Sequence, residues 1–161
     1  MATTALSVTD TCAAAKRASR VLATLDSGTK NAALEAIAAA LISHAGDILE
    51  ANARDLEAAE AAGVAPHLLD RLALDEGRVA TIASQVRDIA ALEDPVGEVI
   101  SGSRFANGLD VRKVRVPLGV IAVVYEARPN VTIDAAALCL KSGNAIVLRG
   151  SSMASNSNAA L

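Results

Sequence analysis

Aromatic residues are almost absent from this sequence, which has one Tyr, one Phe and no Trp among 161 residues. The chain is nevertheless 52% hydrophobic, so its core must be built from Ala, Leu, Ile and Val. A chain of this length and composition can bury one core and is not disordered. Small apolar side chains favour helices that pack closely against a flat surface.

Charge of one sign and long apolar runs are also missing. The formal net charge is −3, with Lys and Arg scattered among Asp and Glu, so the sequence offers no footprint for nucleic acid. It contains no run of about 18 apolar residues. Met1 to Asp10 lack the basic start and apolar centre of a signal peptide. We expect a soluble, cytoplasmic chain with no membrane partner.

The two cysteines, Cys12 and Cys139, lie far apart in the sequence. This spacing indicates neither a disulfide framework nor a metal site. Cys139 falls among apolar residues of a predicted helix and fits a core position better than that of a nucleophile. Cys12 and the isolated His44 and His67 are interpreted as structural or incidental.

Residues 1–94 are predicted to form a helical layer. Apolar residues recur there at three- and four-residue steps, at Leu34, Ile37, Ala38, Leu41 and Ile42 and again at Val79, Ile82, Val86 and Ile89. This period is that of amphipathic helices. We expect Gly46 to end one helix, Asp47 to cap the next, Gly63 to close it and Asp75 to cap a third.

Residues 95–116 are predicted to form strands and a hairpin. A first strand is expected over Val96 to Ile100. Asn107-Gly108 is the dipeptide suited to a type I′ hairpin turn. The charged pair Arg112-Lys113 shifts the phase of the apolar alternation, so a bulge or a change of face is expected there.

Residues 117–161 carry the pattern of a βαβ unit. The apolar run Val120 to Val124 is typical of a strand that is buried on both faces. A helix over Val131 to Lys141 and a second strand over Ala145 to Leu148 follow it. The two strands are expected to run parallel, and the fold class is α/β with a Rossmann-like sheet.

Polar residues cluster where these two strands end. Ligands of open α/β sheets bind beyond the carboxyl ends of the strands, where Arg128, Asn130, Arg149 and Ser151 fall. The turn that includes Ser152 then leads into a predicted helix, whose free N–H groups would favour the binding of a phosphate. Neither strand is followed by G-x-G-x-x-G, so the signal alone is weak. Asn130 is equally a candidate helix N-cap, and Arg149 a candidate surface residue.

The sequence from Tyr125 to Ala145, YEARPNVTIDAAALCLKSGNA, gives the chain a family resemblance. It resembles γ-glutamyl phosphate reductases, the glutamate-5-semialdehyde dehydrogenases of the aldehyde dehydrogenase superfamily. The resemblance continues in order upstream, through Lys30 to Leu34, Ala51 to Leu56, Leu69 to Leu72 and Asp94 to Glu98. It therefore covers nearly the whole chain.

The resemblance implies an NADPH-dependent reduction of L-glutamyl 5-phosphate to L-glutamate 5-semialdehyde and phosphate, in proline synthesis from glutamate. A cysteine thiolate would attack the acyl carbonyl before hydride transfer. Residues 1–161 would be the amino-terminal part of the NADP-binding domain, with a strand-based oligomerisation element. The full-length protein would be a homo-oligomer.

The resemblance also assigns roles to individual residues. Asn130 matches the asparagine that donates to the developing oxyanion, and Arg149 would meet the 2′-phosphate of NADPH, assisted by Ser151 and Ser152. Relatives often carry a second Gly and then a Glu where this chain has Ser151 and Met153. From its charge and location, Arg128 would pair with a substrate carboxylate or phosphate.

Other interpretations remain open at this point. The chain could belong to another oxidoreductase of the superfamily, to a non-catalytic nucleotide-binding module, or to a helical interaction protein. Leu161 falls inside a predicted helix, where a natural domain would rarely finish. The resemblance implies that the catalytic cysteine and the catalytic domain lie beyond this residue, so we expect the chain to stop before them. Alone it should then be inactive and poorly soluble.

Overall fold

The computed structural model describes residues 7–161. The helices are α1 (Val8–Leu22), α2 (Ser27–Ser43), α3 (Ala45–Ala61), α4 (Pro66–Leu72), α5 (Glu76–Ala91), α6 (Asn130–Lys141) and α7 (Ser155–Ala160). The strands are β1 (Val99–Arg104), β2 (Asp110–Val114), β3 (Val120–Val124) and β4 (Ala145–Arg149). A short 3₁₀ helix, Ser152–Ala154, precedes α7. The predicted α/β class is confirmed.

Side-chain caps start several of the helices. The Asp75 carboxylate accepts a hydrogen bond of 2.6 Å from the N–H of Arg78 and begins α5, as predicted. Asp26 caps α2 in the same way, through the N–H of Thr29 at 2.8 Å. Gly63 follows the end of α3 with φ of +72°, the left-handed conformation expected of a glycine there.

The predicted boundary between α2 and α3 is wrong. The break lies at His44, where φ and ψ leave the helical region, and the two helices meet there at 67°. Gly46 lies inside α3 rather than at a helix end, and Asp47 lies in the first turn rather than at the N-cap. Asp47 still stabilises α3, since a carboxylate in the first turn of a helix interacts favourably with the helix dipole.

The main core is formed by α2 and α5, with α6 packed beside them. Ala38 and Ala83 are fully buried, and they bring the two helix backbones close together. Their larger neighbours fill the remaining space: Leu34, Leu41, Ile48, Val79, Ile82, Val86 and Ile133. Burial of each such aliphatic side chain contributes roughly 1.5–3 kcal/mol. The core is thus filled without aromatic side chains, because the helices approach each other closely.

Two buried lysines hold the end of α5. Lys30 of α2 is 1% exposed and forms an ion pair with Asp94, just beyond α5. Lys141 of α6 donates to the Ala90 carbonyl at 2.8 Å and to the Asn31 side chain at 2.7 Å. The Ala90 carbonyl is one of the last of α5 and has no partner within that helix. These bonds attach α2 and α6 to the same helix end.

The hairpin is confirmed, although its details differ from the prediction. Strand β1 begins at Val99 rather than at Val96. Gly108 alone has a positive φ, +89°, so the Asn107-Gly108 turn is not type I′, which needs positive φ at both positions. Phe105 and Leu109 instead close a three-residue loop, with a 2.9 Å bond from the Phe105 N–H to the Leu109 carbonyl.

The predicted irregularity at Arg112-Lys113 lies on the opposite strand. Val99 pairs with Val114 and Ser101 with Lys113, so Ile100 is the extra residue of a bulge in β1. Asp110 to Val114 each pair with a residue of β1 without a break, so the irregularity predicted at Arg112-Lys113 of β2 is wrong.

The predicted βαβ unit is confirmed. Strands β3 and β4 are parallel, with Val120 opposite Ala145 and Val124 opposite Arg149. The side-chain oxygen of Asn144 accepts the N–H of Gly119 at 2.8 Å and fixes the start of β3. The expectation that β3 is buried on both faces is wrong for the described residues, because Ala122 and Val124, which share one face of the strand, are exposed there, Val124 by 80%.

A buried carboxylate joins the end of the βαβ unit to α3. Asp55 is 3% exposed and accepts four hydrogen bonds of 2.6–3.1 Å, from the backbone and side chains of Asn156 and Ser157. One turn earlier, Asn52 donates to the Ser157 hydroxyl at 3.0 Å and to the Leu72 carbonyl at 2.9 Å. It also accepts the N–H of Leu74 at 2.8 Å.

Among residues 7–161, no single helix is both long and apolar enough to cross a membrane. The bent pair α2 and α3 meets that test only when the two helices are taken together.

Replacement of Asp55 by Ala should lower the free energy of unfolding by about 3 kcal/mol. The substitution leaves the two buried donors of Ser157 and the two partly buried donors of Asn156 without their acceptor, and an unsatisfied buried group is costly. Urea denaturation followed by circular dichroism measures the change. Glu57→Ala, an exposed substitution on the same helix, should stay within about 0.5 kcal/mol of the unaltered chain. Equal stability of the two variants would contradict the role given to Asp55.

Acid should weaken the Lys30–Asp94 pair. Burial opposes the charge of Asp94, but hydrogen bonds from Lys30, the Val96 N–H and Ser27 outweigh burial and lower the pKa of Asp94 below its ordinary value. A carboxyl group with a lowered folded-state pKa stabilises the fold above its unfolded pKa, about 3.9. That stability is lost as the pH falls through the folded pKa.

Asp94→Asn should therefore cost about 3 kcal/mol of unfolding free energy at pH 7, because it leaves Lys30 buried without its partner. The difference from the unaltered chain should shrink as the pH falls below about 4. Denaturation curves over a pH series measure both effects. Asp88→Asn, on the exposed face of α5, is the control. A pH-independent gap would show that the charge of Asp94 is not what stabilises this end of α5.

Candidate functional site

The loops after β3 and β4 are held together by their own side chains. The N–H of Tyr125 donates to the Arg149 carbonyl at 3.1 Å, which continues the strand pairing by one bond. The Tyr125 hydroxyl lies 2.7 Å from that of Thr132, in α6. A Cβ at Gly150 would overlap the side chains of Tyr125 and Asn158, so a larger residue here would require these side chains to move. The two loops are thus placed side by side at the carboxyl edge of the strands.

Asn130 is the first residue of α6, and the N-cap position belongs to Pro129. The N-cap alternative for Asn130 is therefore wrong. Its amide nitrogen donates to the Asp134 carboxylate at 3.0 Å, one helical turn further on. An amide nitrogen carries two hydrogens, so this bond orients the group while leaving the second hydrogen for a ligand.

The Asp134 carboxylate lies in a half-buried position on α6. Burial raises the pKa of Asp134 above its ordinary value, and the hydrogen bond from Asn130 offsets part of that rise. The Asn130 amide is thus the polar group that compensates this carboxylate. Each side chain constrains the other.

Asn130 and Arg128 line one cavity of about 340 Å³. Residues of α4, of α5 and of the connection between them complete the lining, among them the apolar Leu74 and Ile82, the cationic Arg71 and Arg78 and the anionic Asp70. This volume lies within the range of small-molecule sites. The cavity therefore combines an oriented amide, cationic groups and an apolar wall.

Glu126 links two of the cationic groups. Its carboxylate lies 3.2 Å from Nε of Arg128 and 3.3 Å from Nη1 of Arg71. Glu126 thus holds Arg128 against α4. Arg71 was not predicted as a site residue, because only the folded chain brings α4 to this loop.

The other predicted site residues lie elsewhere, on the segment after β4. Arg149 is exposed, and its guanidinium donates to the neighbouring Gly150 carbonyl. The Ser151 hydroxyl accepts the N–H of Met153 at 3.2 Å and caps the 3₁₀ helix, while Ser152 is exposed. The structure thus groups Arg128 with Asn130 but does not place this segment in their cavity.

The helix after this segment differs from the expected phosphate site. Helix α7 has only six residues, and the 3₁₀ helix separates it from Arg149. The N–H groups of Asn156 and Ser157 are bound by the Asp55 carboxylate. An internal anion therefore occupies the position that was predicted to favour a cofactor phosphate.

The cysteines match the structural role predicted for them. Cys139 is 6% exposed in the interior, and burial raises the pKa of its thiol above the ordinary value. A thiol that is buried and protonated is a poor nucleophile. Cys12 is exposed on α1. In the part of the chain that the structure describes, no group of His, Cys, Asp or Glu is arranged to hold a metal ion.

Helices followed by a βαβ unit, with polar residues at the carboxyl ends of its strands, define the class as an α/β protein with a candidate ligand site at that edge of the sheet. No protein-family model matches the chain. The sequence is 57% identical to γ-glutamyl phosphate reductase of Kineococcus radiotolerans over 150 residues, which cover 93% of this chain and 35% of that protein. It is 54% identical to the Clostridium novyi reductase, with 94% and 36% covered.

Solved structures agree with the sequence relatives. γ-Glutamyl phosphate reductase of Thermotoga maritima matches with a TM-score of 0.88 and 44% identity, over 91% of this chain and 35% of that one. The Saccharomyces cerevisiae enzyme matches with a TM-score of 0.88 and 36% identity, over 94% and 39%. The chain thus spans about a third of the length of these relatives. Over that part it belongs to the γ-glutamyl phosphate reductase family.

Proposed function

We propose that the chain forms part of an NADPH-dependent reductase. The enzyme would convert L-glutamyl 5-phosphate to L-glutamate 5-semialdehyde and phosphate in proline biosynthesis. Relatives that are 54–58% identical carry the name of this enzyme. The structural observation that carries the proposal is the cavity that Asn130, an oriented amide donor, shares with the cation of Arg128.

Asn130 would act on the acyl carbonyl. Attack of a nucleophile on this carbon places negative charge on the carbonyl oxygen, and a donor already aimed at that oxygen stabilises the transition state. The bond to Asp134 supplies this preorganisation, because it fixes the amide before the substrate arrives. Arg128 would hold a charged group of the same substrate.

The nucleophile in this proposal is a cysteine thiolate that the described residues do not provide. Cys139 is buried with a raised pKa, and Cys12 lies on α1, outside the cavity. We therefore place the nucleophile in the portion of such enzymes that this chain does not span. The activity would belong to the complete enzyme and not to these residues alone.

The segment after β4 has the donors that NADPH would need. Arg149 offers a planar fork of five N–H donors, of which the described contacts use one. Ser151 and Ser152 add hydroxyl groups. The position where relatives often have Glu is Met153, so no carboxylate there would repel a 2′-phosphate. When bound, the nicotinamide would supply the hydride, while Arg149 would hold the phosphate of the adenosine ribose.

Assembly and location complete the proposal. The hairpin exposes apolar residues on both strands, namely Val99, Ile100, Val111 and Val114. A second copy of the complete protein would cover such a surface, so we propose a homo-oligomer built through β1 and β2. We also propose a cytoplasmic enzyme with no nucleic-acid or membrane partner.

Activity can be tested in a hybrid in which this chain replaces the matching third of the Kineococcus radiotolerans reductase. The acyl phosphate is labile, so the reaction is followed in reverse, as NADPH formed from the semialdehyde, phosphate and NADP⁺. Asn130→Ala should lower kcat by about 10² to 10³ with little change in KM. Asn130→Asp keeps the shape but loses the donor and should be as slow.

The two possible failures of this experiment are distinct. A folded hybrid with no reductase activity would contradict the proposed function. An active hybrid that tolerates Asn130→Ala would leave the function standing and remove Asn130 from the mechanism.

The cofactor assignment predicts a selective effect at Arg149. In the hybrid, assayed in reverse, Arg149→Ala should raise KM for NADP⁺ at least about tenfold, because a charge-assisted hydrogen bond to phosphate contributes about 1.5–3 kcal/mol. KM for NAD⁺, which lacks the 2′-phosphate, should hardly change. Arg54→Ala removes an arginine from an exposed ion pair on α3 and serves as the control. Equal losses with both cofactors would place Arg149 outside the phosphate site.

A further inference from the structure

The three arginines at the cavity differ in what their donors already bind. Arg78 donates to the Asp70 carbonyl at 2.6 Å, to the Ala73 carbonyl at 2.8 Å and to the Asp70 carboxylate at 2.8 Å. These bonds lock the connection between α4 and α5. Arg71 and Arg128 instead share the single carboxylate of Glu126.

The Arg71, Glu126 and Arg128 cluster carries a net charge of +1. Its three side chains are 42%, 58% and 45% exposed, so all of them are accessible to a ligand. Each guanidinium carries five N–H donors, and the contacts to Glu126 use only some of them. The cluster therefore has room for a second carboxylate, together with one acceptor for a cation.

The chain also sets where this cluster lies. Arg71 comes from α4, whereas Glu126 and Arg128 come from the loop that leads directly into α6 and Asn130. Arg71, Arg128 and Asn130 line the same cavity as the apolar Leu74 and Ile82. A ligand with charged groups at one end, a short methylene chain and a carbonyl at the other end matches this arrangement.

We propose that the Arg71, Glu126 and Arg128 cluster recognises the amino-acid end of the substrate. The two guanidinium groups bind the α-carboxylate, and Glu126 accepts the α-ammonium. This inference rests on the proposed function and extends it by assigning the orientation in which the substrate binds, with its amino-acid end at the cluster and its acyl carbonyl at Asn130. A phosphate dianion is a poorer occupant, because the Glu126 carboxylate would repel it.

Nuclear magnetic resonance titration of the 161-residue chain tests this, with the arginine Nε–H signals as reporters. The probes are L-glutamate, glutarate, which lacks the α-ammonium, and 4-aminobutyrate, which lacks the α-carboxylate. Saturable shifts of Arg71 and Arg128 are expected with L-glutamate in the millimolar range. Each analogue should bind about tenfold more weakly. Failure of L-glutamate to shift either arginine, or tighter binding of inorganic phosphate, would overturn the proposal.

Variants assign the roles within the cluster. Arg71→Gln should weaken L-glutamate binding about tenfold, and Arg71→Lys, which keeps the charge, should weaken it less. Glu126→Gln should remove the preference for L-glutamate over glutarate. Arg54→Gln, from an exposed ion pair on another helix, should change nothing. Thermal melting shows whether each variant is folded, and folded Arg71 variants with unchanged affinity would overturn the proposal.

The hybrid enzyme separates this inference from the proposed function. If the hybrid is active and Arg71→Gln raises KM for the semialdehyde about tenfold with kcat unchanged, both stand. An active hybrid that is indifferent to Arg71→Gln overturns the inference alone. A folded but inactive hybrid contradicts the proposed function. In that case the titration alone shows whether the cluster binds L-glutamate.

Discussion

The arrangement of this chain depends on one buried carboxylate. Asp55 projects from α3 and accepts hydrogen bonds from the first residues of α7, the element that follows the βαβ unit. A carboxylate in the interior is tolerated only when its oxygens are bonded, so the location of Asp55 leaves little freedom in where α7 can lie. Asn52 ties the same point to the end of α4. Helix α3 therefore fixes the position of two elements. One is α4, which lines part of the cavity, and the other is the end of the βαβ unit.

The near absence of aromatic side chains determines how α2, α5 and α6 pack together. Small residues such as Ala38 and Ala83 let α2 and α5 approach closely, and α6 then packs against both. Few large side chains are present to fill mismatches, so the ends of the helices are fixed by polar bonds instead. Lys30 and Lys141 do this at the end of α5, and Lys141 extends from α6 itself. Lys141 thus anchors the C-terminal end of α6, the helix that begins at Asn130.

Much of this could be predicted from the sequence, for a physical reason. Hydrophobic period and local caps are properties of neighbouring residues, so α5 with its Asp75 cap and the βαβ unit were evident. The errors occur where tertiary structure decides. The helix ends at a bend at His44 and not at Gly46, and the bulge lies at Ile100 of β1 and not at Arg112-Lys113 of β2. The burial of Val124 was overestimated, since an apolar run does not reveal which faces of the strand other elements will cover.

The same division applies to the site. Arg128 and Asn130 were identified because they follow a strand, and the rule that ligands bind at strand ends depends only on chain order. Asp134 was visible as a residue one helical turn after Asn130, although its effect on the amide required the structure. Arg71 could not be found in this way, because it reaches Glu126 across 55 residues. The Asp55 bond to α7 was likewise hidden, and it changed the interpretation of the segment after β4.

The parallel register of β3 and β4 brings the two separate parts of the candidate site to one edge of the sheet. Val124 lies opposite Arg149, so both strands end at the same level and their loops leave side by side. The first loop turns toward α4 and α5 and builds the cavity, whereas the second turns toward α3 and carries Arg149. Gly150 keeps them in contact, because a larger side chain there would overlap Tyr125. A substrate in the cavity and a cofactor on the second loop would thus meet at one strand edge, with Asn130 on the substrate side.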